Sequence, residues 1–313
     1  MAFKQVPQKF TAKINPLTIG EGADAITLGG ENVLPFYSFD AAIDNAPKIG
    51  IEISDNGYAA NIPGIAEFYA GAETLPEIAK KAAAAPGVDF LAISMEGAHP
   101  DNGDRPVDEC AKLVSDIAAV VNIPIVIEGS RNVEKDAKLF EKLAEALQGK
   151  NVLFLSAREE NYKSIAAAAG LAYSQKIGAE SAVDINLAKQ LNVLISQMGV
   201  KTDSVAMNLG SAAAGYGFEY VATTIDRVKS AALAQNDNML QMPIVTPVAS
   251  ETWTVKESIV SEEDFPEWGS SEERGINMEI ATAAACLAAG SNAVILRHPE
   301  SVATVSKLIA ALI

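Results

Sequence analysis

Polar side chains recur where short apolar runs stop. Glu96 follows FLAISM, Glu128 and Ser130 follow IPIVI, Ser156 and Arg158 follow NVLFL, Asn208 and Ser211 follow SVAM, and Arg297 and His298 follow NAVIL. Groups gathered where parallel strands end are where α/β proteins place their ligands. Several chemistries lack their residues. No strand ends in the desolvated lysine that a Schiff base needs. TPVASET and LRHPES hold no glycine for a phosphate loop, which argues against a sugar phosphate. His99 and His298 are the two histidines; each precedes proline, and a role in an exposed turn is expected rather than metal ligation. Glu96 and Glu128 close adjacent strands. Such a pair can share a proton or hold a cationic or amide-bearing ligand, or else accept backbone amides and the charge of Arg131 or Arg158.

The stretch NLGSAAAGYG is more specific. Between Asn208 and Gly217 the side chains of Gly210, Ser211, Ala212, Ala213, Ala214 and Gly215 are small enough for the backbone to approach a large flat ligand, with Tyr216 before the final glycine. The competing reading is relief of crowding where a helix meets the sheet.

These groups need a scaffold, and residues 88–130 indicate it. Two apolar runs, Val88 to Met95 and Ile123 to Ile127, flank a helix opened by Pro106, Asp108 and Glu109, which is a parallel βαβ unit. The rhythm begins at KIGIEIS and gives eight strands and eight helices in roughly 265 residues, the size of a (β/α)8 TIM barrel. A doubly wound sheet fits less well, since no Gly-x-Gly-x-x-Gly turn follows the first strand. Thr74-Leu75-Pro76-Glu77 has capping-box form, Asn132 precedes a helix with Leu139, Leu143 and Leu147 on one face, and YKSIAAAAGLAY reads as an alanine-rich helix. The expected division is a barrel over residues 46–313 and an N-terminal extension over residues 1–45, where FTAKI and DAITLGG form a hairpin able to plug the barrel bottom. The acidic segment ETWTVKESIVSEEDFPEWGSSEERG carries Trp253 and Trp268. It reads either as a contact surface for a macrocycle or partner, or as a solvated flap with both rings tucked beneath it.

The 313-residue chain sets 24 basic against 40 acidic side chains, a net charge of −16, which disfavours nucleic acid and anionic membranes. Cys110 and Cys286 do not suggest a disulfide framework, and two thiolates cannot ligate a four-iron cluster. The start lacks a signal-peptide run and no apolar stretch is long enough to span a bilayer, so a cytoplasmic location is expected.

KIGIEISD, FLAISMEGAHPDNGDRP, IPIVIEGSRNVEKD, VAMNLGSAAAGYGFEY and the acidic insert together resemble the small-subunit family of the corrinoid iron–sulfur protein, the delta-type subunits of the acetyl-CoA decarbonylase/synthase complex, across the whole chain. The resemblance implies a methyl carrier subunit without catalytic residues of its own. It implies a large-subunit partner that carries the iron–sulfur cluster, and a cobamide held between that subunit and this barrel's mouth. The cofactor contacts would come from Asn208, Gly210, Ser211, Ala212, Ala213, Ala214, Gly215, Tyr216 and Gly217, with Glu96, Glu128 and Ser156. A methyltetrahydrofolate methyltransferase, acetyl-CoA synthase and a reductive activator are the further partners implied. Related pterin-binding barrels hold folate with Asp and Asn at strand ends; here those positions carry Ser94 and Glu96, Glu128, and Ser156, which departs from that pattern. The base-off corrinoid motif Asp-x-His-x-x-Gly is also missing, so no histidine is expected to ligate cobalt and no metal ligand is assigned. Two alternatives stay open: a pterin-dependent methyltransferase or other pterin-binding barrel enzyme using Glu128 and Asn208, and a barrel that only scaffolds a complex.

Overall fold

A computed structural model describes residues 6–313. After the antiparallel strands β1 (Leu17–Ile19) and β2 (Ile26–Leu28) come eight parallel strands: β3 (Lys48–Ser54), β4 (Phe90–Ser94), β5 (Ile125–Glu128), β6 (Leu153–Ala157), β7 (Lys176–Glu180), β8 (Val205–Asn208), β9 (Val245–Pro247) and β10 (Ala293–Leu296). Their order, β8-β7-β6-β5-β4-β3-β10-β9, is circular, and a bridge between Met207 and Ile244 brings its two ends together, with Met207 N donating to Pro243 O at 2.8 Å. The eight-stranded sheet is thus a (β/α)8 TIM barrel, and the open doubly wound alternative is excluded.

Eleven α-helices are assigned among the described residues: α1 (Pro63–Tyr69), α2 (Leu75–Ala83), α3 (Val107–Ala118), α4 (Val133–Ala146), α5 (Tyr162–Ile165), α6 (Ile185–Gln197), α7 (Phe218–Ala234), α8 (Ala249–Thr252), α9 (Lys256–Ile259), α10 (Ser271–Ala289) and α11 (Pro299–Leu312). The local chemistry explains their starts. The Glu77 carboxylate accepts from Thr74 N (2.9 Å) and Thr74 Oγ1 (2.9 Å), and the Asn132 side chain caps α4 by accepting from Lys135 N (2.9 Å). Leu139, Leu143 and Leu147 are buried against the sheet, as their spacing predicts. The alanine-rich stretch differs: α5 is one turn, and residues Ala166–Ala172 continue as a π-helix.

Two apolar layers hold the barrel. The outer one lies between sheet and helices; the inner one fills the lumen with Phe90, Val126, Leu153, Leu155, Val245 and Ile295, together with Leu17, Ile19 and Leu28 from the hairpin. The hairpin therefore does plug the lower lumen. Its first arm is not FTAKI, however. Leu17–Ile19 pairs with Ile26–Leu28, whereas Phe10 and Ile14 donate to Asn32 O and Glu31 O outside any assigned strand. The lumen is tight. A Cβ on Gly50 would lie 2.2 Å from the Phe90 ring, so glycine there makes room for the largest inner side chain.

Candidate functional site

Strand parity decides what the mouth contains. Successive strand residues alternate between faces, and register places Gly50 beside Phe90 inside the barrel, so Glu52 and Ser54 also point inward. By the same alternation Ser94, Glu128, Glu180, Asn208 and, just past β10, Arg297 form a polar tier above the apolar lumen. The register between β6 and β7 shifts between Leu155 and Ala157, and Ser156 Oγ accepts from Asn208 Nδ2 at 2.9 Å.

One cleft of about 300 Å³ opens on this tier, and Glu128, Ser156, Asn208, Gly210 and Ser211 line it together. Its rim is charged. Arg158 pairs with Glu180 at 2.7 Å, Arg131 lies 3.8 Å from Glu251, and Asp136 accepts from Ser130 N (2.7 Å), Ser130 Oγ (2.6 Å) and Arg131 N (3.1 Å). This turn requires Gly129, where a Cβ would lie 2.6 Å from the Asp136 carboxylate.

Glu128 is the unusual group. The residue keeps some exposure to the cleft, but its Oε1 is enclosed without a hydrogen-bond partner. Burial, and then the charge of Glu52, push its pKa up to about 8, against a weaker opposing pull from Arg131 and Arg297. At neutral pH the carboxyl is mostly protonated and can donate as well as accept. Ser211 Oγ is likewise buried and unpartnered among the described residues.

The predicted carboxylate pair is not Glu96 with Glu128. Ser94 stands opposite Glu128, while Glu96 lies in the 96–98 turn and accepts from Ser54 Oγ at 2.5 Å. The charge that bears on Glu128 is Glu52, which pairs with Arg297 through Nε (2.9 Å) and Nη2 (2.6 Å). KIGIEIS marks the first strand without singling out Glu52; the alternation of Gly50, Glu52 and Ser54 with isoleucines is the signal in the sequence that points to it. Glu180 ends β7, where the same alternation turns Gly178 and Glu180 inward.

The small-residue loop divides. Gly210, Gly215 and Gly217 adopt positive φ (86°, 89° and 83°). Ala213 is buried, and Ala214 N donates to Thr282 Oγ1 of α10 at 3.0 Å, so part of the stretch serves packing. Ala212, Gly215 and Tyr216 remain accessible at the rim, where Tyr216 is 48% exposed and its hydroxyl donates to Glu257 at 2.6 Å.

The acidic insert is a folded flap with its tryptophans tucked in. Trp253 is buried and stacks on His298 with centroids 5.9 Å apart, while Trp268 packs on Phe265 under Lys256 and Arg274. His298 is therefore not in an exposed turn. It is 4% exposed, its Nδ1 accepts from Glu300 N at 3.1 Å, and Nε2 lies 3.1 Å from Glu272. His99 sits in a partly exposed turn, its Nδ1 accepting from Asp101 N at 3.0 Å. Among the described residues, no three His, Cys, Asp or Glu side chains are placed to hold a metal ion, and Cys110 and Cys286 are buried and unpaired. No helix among the described residues is long and apolar enough to cross a membrane.

The sequence profile of the CO dehydrogenase/acetyl-CoA synthase delta subunit family matches residues 16–301. The acetyl-CoA decarbonylase/synthase complex subunit delta of Archaeoglobus fulgidus is 31% identical over 98% of this chain and 70% of its own length. Subunit delta 1 of Methanosarcina thermophila is 32% identical over 96% and 71%. The chain thus spans roughly seven tenths of those two relatives. Among solved structures, a Yersinia pestis dihydropteroate synthase with a pterine-sulfa conjugate superposes with a TM-score of 0.54 at 10% identity, covering 85% of this chain and 93% of that one. A Coxiella burnetii dihydropteroate synthase in complex with pteroic acid gives 0.53 at 10% identity, covering 86% and 94%. At such identity the likeness shows the shared barrel fold alone.

Proposed function

The chain belongs to the CO dehydrogenase/acetyl-CoA synthase delta subunit family, and from that premise we propose that it is the non-catalytic small subunit of a corrinoid methyl carrier. In this reading it pairs with a large subunit that holds the iron–sulfur cluster, and the barrel mouth forms one wall of a cobamide site at the interface. The methyl group comes from methyltetrahydrofolate through a methyltransferase and passes to acetyl-CoA synthase, with a reductive activator restoring the carrier.

The observation that carries the reading is that Glu128 Oε1 and Ser211 Oγ, both without a partner among the described residues, line one cleft of the mouth. A corrin ring is edged with amide side chains, which need both donors and acceptors. A protonated Glu128 supplies both, Ser211 adds a hydroxyl, and Asn208, held by Ser156, adds an amide. The donor set fits that edge. The cleft of about 300 Å³ lies at the small end of ligand pockets, so a macrocycle would rest across the rim near Ala212, Gly215 and Tyr216. A cobamide would supply the cobalt nucleophile that accepts and releases the methyl group. This chain would hold the ring edge and keep water from its face. Both histidines accept backbone N–H groups at Nδ1, and His298 is stacked on Trp253; the reading assigns neither of them to cobalt.

Cleft size and the presence of both Glu128 and Asn208 on its wall also support a pterin as the occupant, so the test separates the two. Co-purification with the large subunit should give a corrinoid spectrum in the complex and none in the lone chain. Enlarging Ala212 to leucine in the heterodimer should weaken corrinoid retention by about tenfold, the scale of one misfit side chain. Corrinoid held by the lone chain, unaided methyl transfer, or calorimetric binding of methyltetrahydrofolate to the lone chain would overturn the carrier reading.

A further inference from the structure

A second cavity, of about 150 Å³, opens in the mouth on the other side of the Glu52–Arg297 pair. Its walls divide by chemistry. Ile53, Ala59, Ile65 and the Tyr58 ring give an apolar side, and Glu52, Glu96, Arg297 and Tyr69 a polar one. Tyr69, the last residue of α1, is 2% exposed; its ring stacks on Tyr58 with centroids 5.1 Å apart, and its hydroxyl has no hydrogen-bond partner among the described residues. Burial and the nearby Glu52 push that phenol well above its ordinary pKa, so it stays a donor at any physiological pH. Arg297 commits Nε and Nη2 to Glu52, which leaves Nη1 with no partner among the described residues. Glu96, an exposed residue at the cavity's outer edge, uses Oε1 for Ser54, and its Oε2 has no protein partner among the described residues.

A buried, unpaired phenol costs about 1–3 kcal/mol, so a partner is called for. The charges choose its class. Two carboxylates against one guanidinium repel an anion, and a cation offers no acceptor to the phenol. A group with an oxygen acceptor on one side and N–H donors on the other answers both. We propose that this cavity is a binding site for a primary amide on a short alkyl arm, the carbonyl taking the Tyr69 hydroxyl and Arg297, the amide N–H groups meeting the Glu96 and Glu52 carboxylates, and the alkyl part lying on Ile53 and Ile65. The site stands on these residues whether or not the corrinoid reading holds.

The test is ligand-observed NMR on the full lone chain with propionamide, propionate and ethylammonium as probes. Propionamide should saturate one site, with both charged analogues weaker by about tenfold or more. Tyr69→Phe retains the ring and its stack on Tyr58, so the fold is kept, and should weaken propionamide about three- to tenfold, the worth of one hydrogen bond. Ala59→Leu, which narrows the cavity, should abolish binding. Propionate binding as tightly as propionamide, or an amide affinity unchanged in Tyr69→Phe, would overturn the site and leave the phenol to water. The measurement needs neither corrinoid nor partner, so its failure is distinct from failure of the carrier reading. Once propionamide binds, dicyanocobinamide competing for it in the heterodimer identifies the arm as part of a corrin ring; absence of competition identifies a free amide, and either result retains the site.

Discussion

At the closed end of the barrel, Lys229 donates to Glu31 at 2.7 Å and to Asn292 at 2.9 Å, Asn292 Nδ2 donates to Glu31 at 2.8 Å, and Gln175 joins Val152 N to Leu147 O. At the mouth, Glu128 Oε1, Ser211 Oγ and Tyr69 OH have no partner among the described residues. Burial has opposite consequences in the two places. Although desolvation opposes it, Lys229 holds Glu31 below its ordinary pKa, whereas Glu128 faces a like charge and is pushed up to about 8. Polar groups at the closed end spend most of their hydrogen bonds on the fold, with Glu31 Oε2 left without a partner among the described residues. Those at the mouth leave theirs open, as a surface awaiting another molecule must.

The sharpest way to break this contrast is Lys229→Met, which strands Glu31 and should cost about 3 kcal/mol in denaturant unfolding. A loss under about 1 kcal/mol would mean the closed end is no better tied than the mouth. Gly50→Val drives a side chain into Phe90 and should cost about 2 kcal/mol without altering the polar tier. Glu128→Gln should act in the other direction. Folded pKa exceeds unfolded pKa, so the native state is favoured through this group below about pH 4.5, and that advantage is lost as pH rises through about 8. The variant should therefore match the parent at pH 4.5 and be the more stable of the two at pH 8.5, read as a thermal midpoint that no longer falls over that interval. Ser211→Ala should be the smallest change, within about 0.5 kcal/mol in stability, because its hydroxyl has no partner among the described residues. Corrinoid retention in the heterodimer should nonetheless fall.

The strand count was readable because strands covered on both faces are continuous apolar runs, and the α2 and α4 starts were readable because capping is local chemistry. The same double coverage concealed which residues face inward, and Glu52 with it. The hairpin's first arm was misplaced because three-residue strands carry little periodicity, and its seat in the lumen depends on residues far along the chain. The burial of His298 was out of reach for the same reason. Trp253 and Glu272, which enclose it, are set by a flap whose path no local pattern records. Of the predicted contacts, Glu128, Ser156, Asn208, Gly210 and Ser211 do converge, while Glu96 faces the second cavity and Ala213 belongs to the packing.

The hairpin plug sets an order of events during synthesis. Leu17, Ile19 and Leu28 leave the ribosome well before Ala293 and Ile295, which bound the lumen they occupy. A hairpin made before the barrel strands can complete its packing only once the last of them has been made. Until β10 closes the ring, these three apolar side chains have no home, and nascent chains would be most prone to stick to one another in that interval.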